Sequence, residues 1–268
     1  SSLNNTLEGN NVKNSSSQGI SLVNSPHNKF RENNLVGNRI NFKVDGGSLS
    51  DFIQDIAVSN TVDRKIMRYL MNCTNLIASP STFNNTGYLA LVNCYNITAE
   101  NFSLENNELL SAFTLNSSIL ENSITNGGIH LTRSSFINLT GNLIMNGESG
   151  ISIYNSENTT VMKNNIVQNR KSGILLQASS NNTMFGNNID GNDEGINLGE
   201  SSNNTIFGNN ITDNRNYGLL LWNSDYNRFF YNNFINDIPW EVVCSLWWHY
   251  NNTWDNGYPS GGNYWSDY

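Results

Sequence analysis

Short apolar runs return along this chain at a fixed interval. Alternating stretches such as Ile151-Ser152-Ile153, Ile174-Leu175-Leu176, Ile196-Asn197-Leu198 and Thr205-Ile206-Phe207 are separated by Gly and Asn. Alternation over three to five residues, with turn formers between the runs, predicts short strands joined by tight turns. A Gly-apolar pair falls at Gly128-Ile129, Gly150-Ile151, Gly173-Ile174, Gly195-Ile196 and Gly218-Leu219, in steps of 22, 23, 22 and 23 residues. Asparagine keeps the same beat at Asn146, Asn169, Asn192, Asn214 and Asn236. Two nonamers, NNTMFGNNI from Asn181 and NNTIFGNNI from Asn203, differ at one position. A period in the twenties marks a solenoid, and the Leu-x-x-Leu-x-Leu pattern of a leucine-rich repeat is absent.

Three short strands and three turns fit into about 22 residues. Stacked coils then pair each strand with its neighbours above and below, about 4.8 Å away. The pattern therefore predicts an all-β, right-handed parallel β-helix with coils of about 22–23 residues. Asparagine suits the corners of such coils because it tolerates left-handed backbone better than most residues. Stacked at one corner of successive coils, its side chains can also form a hydrogen-bonded ladder along the axis.

The template GIxLxxSxNNTIxxNNI resembles the archaeal and bacterial β-helix repeats grouped as carbohydrate-binding and sugar-hydrolase (CASH) domains, to which the NosD-like periplasmic copper-maturation proteins are related. SNTVDRKIMRYLMNCTNLI (Ser59 to Ile77), followed by GYLALVNCYNIT (Gly87 to Thr98), is similar to a segment of archaeal surface members. WDNGYPSGGNYWSDY (Trp254 to Tyr268) resembles the motif that closes their helices. One departure is Arg64 after Asp63, where such members carry Gly. It should strain a two-residue hairpin turn, which prefers Asp-Gly. The resemblance implies the fold and is weak on activity.

Within a single domain over 1–268, four stretches are expected. Residues 1–40 form first coils, 41–85 an irregular hairpin insertion, 86–238 regular coils, and 239–268 an aromatic cap. The cap holds Trp240, Trp247, Trp248, Trp254 and Trp265. Terminal units of solenoids must cover an open apolar end, which favours the cap. The alternative is a sugar-stacking platform built from Trp222, Trp254, Tyr258, Tyr264 and Trp265.

Composition narrows function. The chain has 268 residues, a net charge of −8 and only 13% charged residues, which excludes a basic nucleic-acid face. No 18-residue apolar run is present, so no helix spans a membrane. The chain is placed outside the cell or at its surface, with any secretion signal already removed. Asp190 and Asp213, 23 residues apart, could sit on adjacent coils at the separation that glycoside hydrolysis needs. Aligned coils instead give alternating charge columns, Arg170-Asp193-Arg215 and Glu148-Lys171-Glu194, which read as ion pairs on a solvated face. No Asp-Asp pair, Gly-His-Gly or acidic calcium cluster stands out, and no catalytic residue is assigned.

His27, His130 and His249 share no ligand spacing, and the methionines make no Met-x-x-Met array, so no metal or cofactor is expected and a copper role rests on the family name alone. Cys73 and Cys94 share an Asn-Cys-x-Asn core and can stack in adjacent coils, either bonded or as free thiols. Candidate N-glycosylation acceptors are Asn4, Asn72, Asn84, Asn96, Asn116, Asn138, Asn158, Asn181, Asn203 and Asn251. Head-to-tail self-association is expected through Leu3, Leu7 and Val12 against Trp254 and Tyr268. The partners are then the chain itself and cell-envelope glycans. The expected function is a non-catalytic extracellular or envelope structural protein that stacks into a filament or layer. Alternatives are a carbohydrate-binding module and a polysaccharide lyase or hydrolase.

Overall fold

The computed structural model describes residues 2–237, 240–244 and 251–266. It is a parallel β-helix whose only helix among the described residues is Leu49–Phe52. Three sheets line the main stack. One has twelve strands and runs from Asn11–Lys13 to Trp240–Cys244; two have eight strands each, from Thr74–Ala78 to Arg228–Phe230 and from Ser103–Glu105 to Tyr264–Trp265. Inward positions on neighbouring coils align in register, as in Ile151, Ile174, Ile196 and Leu219 of the long sheet. These side chains, with partners such as Ile166, Ile189 and Ile211, form one continuous dry core.

Coil length is less uniform than the sequence suggests. Leu89, Leu109 and Ile129 follow one another at 20 residues, and the 22–23 residue step of the N-terminal coils resumes only after Ile129. The difference lies in the turn entering the long sheet. Asn106 and Asn107 alone join Ser103–Glu105 to Glu108–Ala112, whereas four residues, Gln168 to Lys171, join Asn165–Val167 to Ser172–Gln177.

Most coil corners follow one local rule: a residue with left-handed backbone, then a buried polar residue that reaches along the axis. In the coil from Ala178, the left-handed residues are Ala178, Asn181, Gly186 and Gly191. The buried ones that follow are Ser179, Asn182, Asn187 and Asn192. Asn187 donates its backbone N–H and its Nδ2 to Asn209 Oδ1, at 3.0 and 2.8 Å, and Nδ2 also donates to Val161 O on the preceding coil. Pairs such as Asn181-Asn182 and Asn203-Asn204 thus divide the two roles between neighbours, because one residue cannot both face solvent at a left-handed bend and plug the corner, while Gly186 and Gly208 take the left-handed role before Asn187 and Asn209. The repeating Gly has a different cause. A Cβ on Gly173 would sit 2.6 Å from Ile189 Cγ2 and 2.8 Å from Gly195 O on the next coil.

The N-terminal residues depart from a simple first stack. Thr6–Glu8, Lys29–Arg31 and Asp55–Ile56 form a three-stranded sheet, and Gln18–Val23 pairs with Ile40–Asp45. Within 41–85, Asp55–Ile56 and Thr61–Val62 continue these coils rather than leaving the solenoid. Chain direction reverses at the hairpin between Thr61–Val62 and Lys65–Met71, an antiparallel pairing. Asp63 and Arg64 at its tip both have positive φ, 46° and 65°. Asp63 holds the strained tip with its carboxylate, which accepts from Gly37 N, Asn41 Nδ2 and Asn106 Nδ2.

After the reversal, the N-terminal coils lie against the outer face of the long sheet and build a second core there. Every residue of Thr86–Val92 is buried: Leu89 and Leu91 point into the main core, while Tyr88, Ala90 and Val92 face Phe42 and Val44. Phe30, Phe42 and Tyr88 meet edge to face at centroid distances of 5.5 and 5.3 Å.

Candidate functional site

Beyond the N-terminal coils, the outer face of the long sheet opens to solvent. Two outward columns run along it. One aligns Leu110, His130, Ser152, Leu175, Asn197 and Leu220; the other aligns Thr132, Tyr154, Gln177, Gly199 and Trp222. Where the N-terminal coils end, a cleft of about 350 Å³ forms between the two units. Arg39 and Lys43 bound it on one side, Glu108, Glu148 and Lys171 on the other, and His130 and Tyr154 make its floor.

Charges in this cleft are paired across the junction. Arg39 pairs with Glu148, which also binds Lys171 at 2.8 Å, while Lys43 meets Glu108 at 3.4 Å. The Lys171 hydrogen bond holds the Glu148 carboxyl below its usual range, against the opposing effect of burial. Burial works to lower Lys43, but Glu108 and Asp45 keep it above the ordinary lysine value. The His130 imidazole is buried, 5.1 Å from the Tyr154 ring, and desolvation pushes its pKa down. His130 is therefore a neutral donor-acceptor at neutral pH, and burial likewise raises the Tyr154 phenol.

The exposed continuation is polar in the middle and aromatic at both ends. Glu194 Oε2 accepts from Ser172 Oγ at 2.6 Å and from Asn197 Nδ2 at 2.8 Å. Gln177 folds over Gly199, so that a side chain at 199 would collide with it. Trp222 is the last described residue of the column, at 51% exposure. Tyr154 and Trp222 are three rungs apart, about 14 Å at the interstrand spacing.

The other residues named from sequence scatter. Trp254 stacks on Phe229 at 4.8 Å and Trp265 on Phe234 at 4.5 Å, both packed against the main core. Those two rings close the last coil, which removes them from the sugar-stacking set; Tyr258 and Tyr264 stay exposed. Asp190 is in register with Thr212, whose Oγ1 donates to it, while Asp213 sits at the next corner and accepts from Asn236. Their spacing of 23 residues does not stack them, because that coil step is 22. Of the charge columns, Glu148 and Lys171 form the expected pair, but Glu194 turns to Ser172 and Asn197. All ten glycosylation candidates have exposed side chains. Leu3 is exposed, whereas Leu7 and Val12 pack against the N-terminal core, so that part of the proposed contact surface is already used; Tyr268 lies outside the described residues, as do Trp247, Trp248 and His249.

Cys73 and Cys94 do stack on adjacent coils, but both are free thiols. The Cys94 thiol donates to backbone carbonyls, and burial pushes its pKa up to about 11.

Phe185, Phe207 and Phe230 stack face to face at 5.0 and 5.1 Å along the sheet that ends with Arg228–Phe230. Their signal is the last residue of each Thr-x-Phe or Arg-Phe-Phe run. The rings use their faces on one another, so the stack stiffens the coils rather than offering sugar platforms.

Residues 74–268 match the family model described as periplasmic copper-binding protein (NosD). The chain belongs to the NosD family. No match was found among curated proteins. Among solved structures, a point mutant of the periplasmic alginate epimerase AlgG aligns with a TM-score of 0.56 at 15% identity, covering 90% of this chain and 62% of the epimerase. Unmutated AlgG gives 0.49 at 16%, over 86% and 61%. The A-module of the mannuronan C-5 epimerase AlgE4 from Azotobacter vinelandii gives 0.44 at 14%, over 93% and 84%. This NosD-family chain therefore spans about three fifths of AlgG, and at such identities the likeness is one of fold.

Copper in the family description invites a test of the donors. Among the described residues, no three His, Cys, Asp or Glu come together as a metal site. Met67 and Met184 are buried in different cores. The soft donors that do meet are the Cys73 and Cys94 thiols, which are in side-chain contact.

Proposed function

We propose that this NosD-family protein works outside the cytoplasm as a glycan-binding surface protein, laying a polysaccharide chain along the open outer face of the long sheet. The observation that carries the reading is the column from Tyr154 to Trp222, with aromatic rings at both ends and Gln177 and Gly199 between, flanked by Asn197 in the neighbouring column and by Glu194, which Asn197 bonds. Flat rings take the apolar faces of sugars, and the polar centre offers hydrogen bonds to hydroxyls. Rungs of about 4.8 Å match the repeat of an extended hexose chain closely enough for successive units to meet equivalent positions. The cleft at His130 and Tyr154 stops the groove at one end, where Lys43 and Arg39 add charged donors. That the fold is shared with an alginate epimerase supports a polysaccharide as the ligand class. Exposed Asn181 and Asn203 remain proposed glycan-bearing sites on the turns of such a surface protein.

A glycan array with purified protein tests this. Saturable binding to one polysaccharide class is expected, weakened about tenfold in Trp222→Ala at unchanged thermal stability. Absence of saturable binding, or full affinity in that variant, would overturn the reading. Mass analysis of the bound glycan after incubation separates binding from turnover.

A further inference from the structure

The outer face of the long sheet is open only from one rung onward. In the column Leu110, His130, Ser152, Leu175, the first two residues are covered and the next two half-exposed. The neighbouring column passes from covered Ala112 and Thr132 to half-exposed Tyr154 in the same way. Phe42 and Val44 of the N-terminal coils share a core with Leu110 and Ala112. At this boundary the hydrogen bonding is unfinished. His130 is 8% exposed, yet neither of its ring nitrogens makes a hydrogen bond among the described residues. The phenol of Tyr154, whose ring lies 5.1 Å away, makes none there either. Buried polar groups are nearly always paired, so a donor and an acceptor left open on the floor of a cleft point to a ligand.

We propose that this cleft seats the terminal sugar of the polysaccharide, so that the protein holds a glycan chain by its end. The inference rests on the groove reading above and adds which part of the polymer is recognised. A chain running over Trp222, Gly199 and Gln177 reaches Tyr154 and then meets covered rungs, since Thr132 and Ala112 lie next in that column. An internal segment needs a way out on the far side, and a terminal residue does not. The cleft volume of about 350 Å³ is at the small end of ligand sites, which suits a terminal sugar rather than a run of them. Its charged groups are engaged with one another, Lys43 with Glu108 and Glu148 with both Arg39 and Lys171. What remains for the ligand is the His130 imidazole and the Tyr154 phenol. Each can donate and accept, and so can each hydroxyl of a sugar. A chain end presents the extra hydroxyl that glycosidic linkage removes from internal units.

The test titrates the full chain by calorimetry with mannuronan, β-glucan and chitosan oligosaccharides of graded length. End seating gives one protein bound per glycan chain at every length. His130→Ala, checked for folding by circular dichroism and thermal unfolding, should weaken binding about tenfold, and what binding is left should then grow with glycan length. If that variant does not fold, the stoichiometry of the wild type decides alone. A wild-type stoichiometry that rises with length, or full affinity in folded His130→Ala, overturns end seating and leaves the groove reading standing. Absence of saturable binding to all of these glycans overturns both.

Discussion

A buried asparagine in this fold carries several hydrogen bonds at once. Asn187 Oδ1 accepts from the N–H and Nδ2 of Asn164, and its own amide donates forward to Asn209 and back to Val161. Asn187→Ala should therefore orphan buried groups on two coils and lower stability by roughly 3–5 kcal/mol in a urea titration. Its neighbour Asn188 faces solvent, where its side chain bonds Asn165 and Asn210, so Asn188→Ala should cost about 0.5 kcal/mol or less. The sequence showed that asparagine belonged at corners, but not which member of each pair was buried, since both are equally polar. The other informative residue is Asp237, which accepts from Asn214 where earlier coils place Asn. Burial pushes its carboxyl up to about 7, with Glu241 and Asp213 adding to the push and the Asn214 donors opposing it. The unfolded carboxyl titrates at about 3.9, so the folded chain keeps a proton between about pH 4 and 7 that the unfolded chain releases. Stability falls as pH rises through that window, and the penalty is complete above it. Asp237→Asn should raise the melting temperature at about pH 8, corresponding to roughly 2–4 kcal/mol, and change it little at about pH 4.

Among elements, the hairpin at Asp63 and Arg64 sets the architecture. A left-handed Arg carries a Cβ clash that Gly lacks, and Arg64 makes no hydrogen bond that offsets it among those described. Arg64→Gly should stabilise the protein by about 0.5–1 kcal/mol in thermal unfolding, while Asp63→Ala should destabilise it by removing the acceptor for Gly37, Asn41 and Asn106. The turn itself was legible, since Asp-Arg stood where Asp-Gly was expected. Its consequence was not. Whether a hairpin returns a chain to the same stack or folds it onto an outer face depends on which side of Thr86–Val92 finds an apolar partner. The run Tyr88-Leu89-Ala90-Leu91-Val92 is apolar on both sides, a mark of double burial that alternation alone does not resolve. The cleft was hidden for the same reason: His130 and Lys43 meet only because two distant stretches pack together.

For the whole molecule, that packing makes stability uneven. A solenoid spreads its energy over neighbouring coils, but here the long sheet is covered on both faces along Thr86–Val92 and Glu108–Ala112. Hydrogen exchange by mass spectrometry should find these two strands the most protected, with the outlying strands Thr6–Glu8 and Tyr264–Trp265 exchanging fastest. Equal protection along the stack would contradict this. The corner ladder has one more consequence. From Asn122 through Asn142, Asn164, Asn187, Asn209 and Asn232 to Asn263, every side-chain amide hands its hydrogen to the next coil in the same sense. The amide dipoles therefore add instead of cancelling, and the stack is a vector with its positive pole toward the C-terminal coils. The neighbouring ladder, Asn169 to Asn192 to Asn214, runs in the same sense and ends on the Asp237 carboxyl. Anything that prolongs these ladders must enter with the same heading, so the column of coils can be extended only as a one-way street.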